Sequence, residues 1–205
     1  MVIGVDKAQK DGKHDIKHNQ LIEMGHELLF LPLPVGDYIL VDDAVREVIT
    51  RRGDKLKKMD LLGVTKRSVD TKADLNESYG NLIGKSHARF RDECILAQQN
   101  NIGFTVLIES APDVKCMEDV KRWKNWKQLY SYCRRNHIQT GQGMMDRISD
   151  FVAHGGQRPP VDGEQLHKAM TTMATKYHFR WAFCEPENTG RAIIWLLTHG
   201  REGYG

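Results

Sequence analysis

The sequence predicts an α/β fold in which helices cover the faces of a central β-sheet. Three features point there. Apolar runs of strand length recur along the chain, segments with helical spacing stand between them, and neither an internal repeat nor a low-complexity tract interrupts the alternation. With 205 residues the chain is long enough to bury a core. It is read as one domain over residues 1–205, with a motif-bearing core at 1–110, a basic insertion at 42–66 and a C-terminal helix–strand–helix extension at 111–205.

Residues 2–5 form a short apolar run ending at an acid, which suits a buried first strand that delivers Asp6 to solvent. A polar loop containing Gly12 follows over 7–14. Residues 16–24 then have helical spacing through Leu21 and Met24, closed by Gly25. Residues 27–33 are a second apolar run punctuated by Pro32 and Pro34, and residues 36–41 begin a third strand directly after a turn. From 42 to 66 the pattern is mixed and charged, broken at Gly53 and Gly63, and reads as an insertion containing one helix. Residues 68–72 alternate β-branched with charged residues, as a strand with one buried face does. Side chains two apart on a strand share a face, so Asp70 and Lys72 point the same way.

Residues 87–98 read as a helix with Phe90, Cys94, Ile95 and Ala97 inward, and residues 103–109 as a buried strand that again ends in an acid, Glu109. Residues 117–133 read as one helix whose Val120, Trp123, Trp126, Tyr130 and Cys133 share a broad apolar stripe. Those aromatics suit core packing first and base stacking second. Residues 139–160, rich in glycine and polar residues, read as a loop or partly ordered excursion. Asp162 caps a helix carrying Leu166, Met170, Met173 and Tyr177. Residues 179–184 make a strand, and Asn188 or Thr189 starts a last helix through Ile193, Ile194 and Leu197.

A 40% apolar content with charges of both signs throughout describes a globular protein rather than a disordered or fibrous one. No apolar run approaches the ~20 residues of a membrane span, so no membrane association is expected and the compartment is read as cytoplasmic. Cys94, Cys116, Cys133 and Cys184 form no C-x-x-C pair and are read as reduced thiols. His14, His18 and His87 lack the second cluster that a zinc site needs. The net charge of +3 neither demands nor excludes nucleic acid. Locally, basic residues including Arg51, Arg52, Lys66 and Arg67 outnumber acids between 46 and 67, and a second basic stretch runs from 115 to 135.

Cleaving a phosphodiester needs a cation on a non-bridging oxygen, an activated water and positive charge near the developing anion. Asp37 and Asp70, with the backbone carbonyl of Thr71, are oxygen donors that could hold Mg²⁺ or Mn²⁺ without completing its shell. Lys72, on the same strand face as Asp70, could orient or help deprotonate the attacking water, or stabilise charge on the phosphate. Arg89 and Arg91 could reach phosphates from the helix that follows.

The chain resembles the nuclease domains of the XPF type, within the PD-(D/E)xK superfamily, including relatives encoded by bacterial viruses. The likeness rests on a first strand ending in Asp6, on Leu33-Pro-Val-Gly-Asp-Tyr38 against the family's L-x-V-G-D-Y, and on Val69-Asp-Thr-Lys72 at the family's E-R-K or D-x-K core. The helix with His87-Ala-Arg-Phe-Arg-Asp-Glu93 and the strand from Phe104 to Glu109 follow in the same order. The resemblance implies a restriction-endonuclease-like mixed sheet and a metal-dependent endonuclease acting on flap or branched DNA in replication or recombination. Asp37, Asp70 and Asp6 would be metal ligands and Lys72 catalytic, and the setting would be the host cytoplasm for a viral member. It also allows a homodimer. Two positions differ: the family's D-T-R-E element reads Asp6-Lys-Ala-Gln9, and the arginine of E-R-K is Thr71. Glu23, Glu27 and Glu109 are the acids weighed as substitutes for the missing one. Two further readings are a catalytically degenerate relative that binds DNA or protein, and an unrelated α/β enzyme acting on a small phosphorylated molecule.

Overall fold

The computed structural model describes residues 1–9, 12–110 and 114–199; the parts of the expected 7–14 loop and of the 111–205 extension that fall elsewhere lie outside the described residues. The chain divides into two compact units, Met1–Cys116 with Met170–Gly205 and Met117–Ala169.

The first unit is built on a six-stranded mixed sheet flanked by helices. Its strands are β1 (Val2–Asp6), β2 (Glu27–Leu31), β3 (Tyr38–Leu40), β4 (Arg67–Lys72), β5 (Gly103–Glu109) and β6 (Arg180–Cys184). They stand in the order β2-β1-β3-β4-β5-β6. The β1–β2, β4–β5 and β5–β6 pairs are parallel, and β3 is antiparallel to both β1 and β4. Helices α1 (Asp15–Glu23), α2 (Asp43–Arg52), α3 (Leu75–Leu82) and α4 (His87–Gln99) lie between the strands. Short 3₁₀ turns occupy Gly53–Lys55, Lys58–Leu61 and Pro186–Asn188.

The period-2 alternation of the strands divides the core. On one face Ile3, Val5, Tyr38, Val69 and Leu107 pack with Leu21 of α1 and with the last helix of the chain, Thr189–His199. On the other, Leu31, Leu33 and Ile39 pack with Val45 and Val48 of α2 and with Leu61. Each fully buried Leu, Ile or Val contributes about 1.5–3 kcal/mol, so a one-residue slip of β4 would exchange Val69 for Asp70 at large cost.

The second unit holds α5 (Met117–Val120), α6 (Trp126–Arg135) and α7 (Met144–Ala153) and the first part of α8 (Gly163–Tyr177); Thr189–His199 is α9. Its core joins Leu129, Tyr132 and Cys133 of α6 to Met144 and Ile148 of α7. Asp162 Oδ1 accepts from Gln165 N at 2.9 Å at the start of α8, as its capping role predicts.

Four sequence readings are corrected. The single helix expected over 117–133 is two, because Asn125 is a buried N-cap whose side chain accepts from Gln128 N at 3.1 Å and restarts the helix at Trp126. The stripe therefore turns: Leu129, Tyr132 and Cys133 are buried while Trp126 and Tyr130 are exposed. The excursion expected over 139–160 contains α7, which buries Met144 and Ile148 four residues apart. Helix α3 was not foreseen. Asp74 caps it by accepting from Glu77 N at 2.8 Å, while Glu77 Oε2 accepts from Ala73 N at 3.0 Å. Asp6 does not simply face solvent: its Oδ1 accepts from Leu33 N at 3.3 Å. None of the four cysteines forms a disulfide, and among the described residues no helix is long and apolar enough to cross a membrane.

Candidate active site

Asp70 and Lys72 share one face of β4, opposite Val69 and Thr71. The reason is visible in the neighbours: Val69 packs toward α9, and Thr71 Oγ1 accepts from Lys17 Nζ of α1 at 3.2 Å. Asp70 and Lys72 are thus turned toward the other face. There Lys72 Nζ lies 2.6 Å from Asp70 Oδ2, with their side chains only 8% and 7% exposed.

Asp37 arrives from the start of β3. Asp37 N donates to Val69 O at 2.9 Å, and its carboxylate Oδ2 accepts from Thr71 N at 2.9 Å and from Thr71 Oγ1 at 2.7 Å. The turn before it depends on Gly36, whose φ of +68° suits glycine and whose α-carbon sits against Ser68 and the Val69 backbone. Gly36 N in turn donates to Glu93 Oε1 of α4 at 2.7 Å. Val69 O faces β3, so the Thr71 carbonyl two residues on faces the same edge, past the end of the β3 pairing.

These groups line a cleft of about 670 Å³ at the C-terminal end of β4, together with Asp6, Gln9, His14, Lys58, Glu77, Arg89 and Asp92. Its electrostatics are those of crowded anions. Burial pushes the Asp70 carboxyl up to about 8; Lys72 opposes this, and the nearby carboxylates of Asp37 and Glu93 add to it. Glu93 is also raised, by burial first and Asp37 next, against the pull of Gly36 N–H, Lys72 and Arg89. For Lys72, burial acts to lower the pKa, but Asp70, Asp37 and Glu77 outweigh it and hold the ammonium charged.

Sequence reasoning missed Glu93, a helical acid inside the motif-bearing segment, and Glu77. It also missed the layer beneath: Lys17 Nζ pairs with Glu109 Oε1 under Thr71. Glu109 is therefore engaged on the far side of the sheet, and Glu23 and Glu27 are exposed and do not line the cleft. Gln9 remains beside the site, its Nε2 donating to Asp37 O at 3.5 Å. Asp6 lines the cleft, 4.0 Å from Lys58 Nζ.

The basic residues disperse. Arg89 lines the cleft; Arg91 does not, and pairs with Asp92 at 2.7 Å. Arg51 is exposed at the end of α2, and Arg52 pairs with Asp60. Lys66 pairs with Asp42 at 2.7 Å, and Arg67 Nη1 donates to Leu197 O and Thr198 O at 3.1 and 2.9 Å. Lys66 and Arg67 lie at the opposite end of β4 from Lys72, roughly 17 Å away at strand rise. They line a separate concavity of about 890 Å³ that holds no carboxylate among the described residues.

Among the described residues, no three His, Cys, Asp or Glu side chains are drawn together as a metal-holding group. Asp37, Asp70 and the Thr71 carbonyl are the donors expected from the sequence, and Asp6 and Glu93 line the same cleft. Hard oxygen donors with excess negative charge suit a divalent cation that keeps most of its waters. Compared with family models, curated proteins and solved structures, the chain matches none of them.

Proposed function

We propose that this protein is a Mg²⁺- or Mn²⁺-dependent DNA endonuclease whose site is Asp37, Asp70 and Lys72, with Glu93 as a fourth participant. One observation carries the reading: an acid and a lysine paired on one strand face, with a second acid hydrogen-bonded to the residue between them, in an open cleft. The resemblance to XPF-type nucleases within the PD-(D/E)xK superfamily, carried by these same residues and the order of elements around them, agrees with it and suggests flap or branched DNA as substrate.

Asp37, Asp70 and the Thr71 carbonyl would hold the cation, which when bound supplies Lewis-acid stabilisation of the phosphate and eases deprotonation of the attacking water. Thr71 fixes Asp37 through two hydrogen bonds, so that carboxylate is oriented before substrate arrives. Lys72 is held charged and acts as a cation toward the phosphate rather than as a base. Arg89 lines the cleft and would contact a flanking phosphate.

The second reading, a relative that binds DNA or protein without catalysis, is favoured by Gln9 and Thr71 standing where the family has an acid and an arginine. Cleavage of labelled single-stranded, duplex, flap and four-way-junction DNA in Mg²⁺, Mn²⁺ and EDTA separates the two. Metal-dependent cutting by the wild type, lost in Asp70→Ala, is expected. Binding without cutting in either metal would establish the second reading instead.

A further inference from the structure

Helix α6 buries Leu129, Tyr132 and Cys133 and leaves a second apolar pair on its outer side: Trp126 is 49% and Tyr130 48% exposed. Their ring centroids lie 6.2 Å apart with planes 32° from parallel. Opposite them, Met144, Met145 and the glycines Gly141 and Gly143 complete a pocket of about 360 Å³ within the second unit. Arg147 holds the glycine loop in place, its Nε donating to Gln139 O at 3.0 Å and its Nη2 to Gln142 O at 2.8 Å. The pocket wall is thus built from backbone fixed by a side chain. The faces of Trp126 and Tyr130 stay half exposed beside that wall, open to a planar ligand.

The charges around it favour a polyanion. Trp126, Tyr130 and Arg134 follow one another at four-residue spacing along one helix face. Lys124, Lys127 and Arg134 are exposed and make no ion pair among the described residues. Among the described residues Asp146 is the single acid of the lining, an acceptor for the ring N–H or amino groups of a base. Exposed aromatic faces in a pocket, on a helix that also carries exposed cations, match the way single strands are held without base pairing. A duplex hides its base faces in the stack and cannot use such a pocket.

We propose that this pocket is a single-stranded DNA binding site, in which an unpaired base stacks on Trp126 and Tyr130 while Lys127 and Arg134 contact its flanking phosphates. The choice of DNA over RNA rests on the nuclease reading; the stacking site itself does not. The site would hold an unpaired arm of a branched substrate.

The test is fluorescence anisotropy on the full chain in EDTA, where no cleavage is needed. The probes are labelled oligodeoxythymidylate, an abasic strand of equal length, oligouridylate and duplex DNA. Trp126→Ala is expected to weaken oligodeoxythymidylate binding about ten-fold, from the loss of one base stack, and Trp126→Phe to restore most of it. The wild type should bind the abasic strand as weakly as Trp126→Ala binds thymidylate, and duplex binding should not change with the variant. Lys127→Ala and Arg134→Ala should each lower the salt dependence of binding by about one released ion. Unchanged thymidylate binding in Trp126→Ala, or equal loss on duplex and single strand, would overturn the site, and tighter binding of oligouridylate would overturn the choice of DNA. Because binding is read without metal, a protein that never cuts but shows the Trp126 dependence would sink the nuclease reading and leave this site standing. A protein that cuts without that dependence would do the reverse.

Discussion

At the residue scale, Thr71 has two duties that its place in the motif does not advertise. Its hydroxyl donates to Asp37 and accepts from Lys17, linking the candidate metal ligand to the buried Lys17–Glu109 pair on the other face of the sheet. Thr71→Val keeps the shape and removes both hydrogen bonds. It is expected to cost about 1–3 kcal/mol in urea unfolding and to slow cleavage roughly ten-fold through a looser Asp37. A fully active, fully stable variant would remove Thr71 from the site. His14 offers a pH test. Burial lowers its pKa to about 4 from 6.5, against the attraction of Asp37, and His18 shifts the same way for the same first cause. The unfolded chain takes up these protons at higher pH than the fold does, so stability is full above about pH 6.5 and falls as pH drops toward 4. Thermal unfolding across that range should show the loss, with a flatter profile in His14→Phe. The residues of the site were unevenly legible in sequence. Asp70 and Lys72 announced their shared face because strand periodicity is two. Glu93 did not, because nothing in a helical acid's spacing says that it will accept from a turn 57 residues away.

At the scale of elements, the turn into β3 is where the fold constrains the chemistry most. Gly36 has a φ of +68°, and a β-carbon there would collide with the Ser68 hydroxyl and press on Val69 O at 3.0 Å. Gly36→Ala should therefore destabilise by more than about 1 kcal/mol in chemical denaturation, and displace Asp37 enough to depress cleavage beyond the stability effect. Strands β1, β4 and β5 were readable as short apolar or alternating runs. β3 is shorter than its apolar run because Gly36 and Asp37 are spent on the turn. Helix α7 escaped notice because Gly141, Gly143, Gly155 and Gly156 around it outweigh the Met144, Ile148 and Phe151 stripe. The break at Asn125 was hidden because apolar residues lie on both sides of α6, so hydrophobic spacing alone could not say which side is buried.

At the scale of the whole molecule, the cleft of the proposed active site mixes both signs, with Lys13, Lys58, Lys72 and Arg89 set against six carboxylates. The cleft is acidic on balance, and Lys66 and Arg67 sit at the far end of β4, bound into the structure. A site with surplus carboxylates should gain stability from a cation that binds only the folded state. Saturating Mg²⁺ or Mn²⁺ is expected to raise the melting temperature of the wild type, by the equivalent of about 2.7 kcal/mol at one hundred times Kd, and to leave Asp37→Asn unchanged. An equal shift in both proteins would place the ion elsewhere. The alternation that predicted an α/β sheet was a whole-chain signal and survived local errors, whereas the second compact unit left no composition boundary to read.

The most direct measurement is single-turnover cleavage by Lys72→Ala beside the wild type in Mg²⁺, with folding checked by circular dichroism. Wild-type cutting that stops in EDTA, and a folded variant slower by about 10²–10³, is the expected result. A folded Lys72→Ala that cuts at the wild-type rate would contradict the assignment of this cleft as the active site.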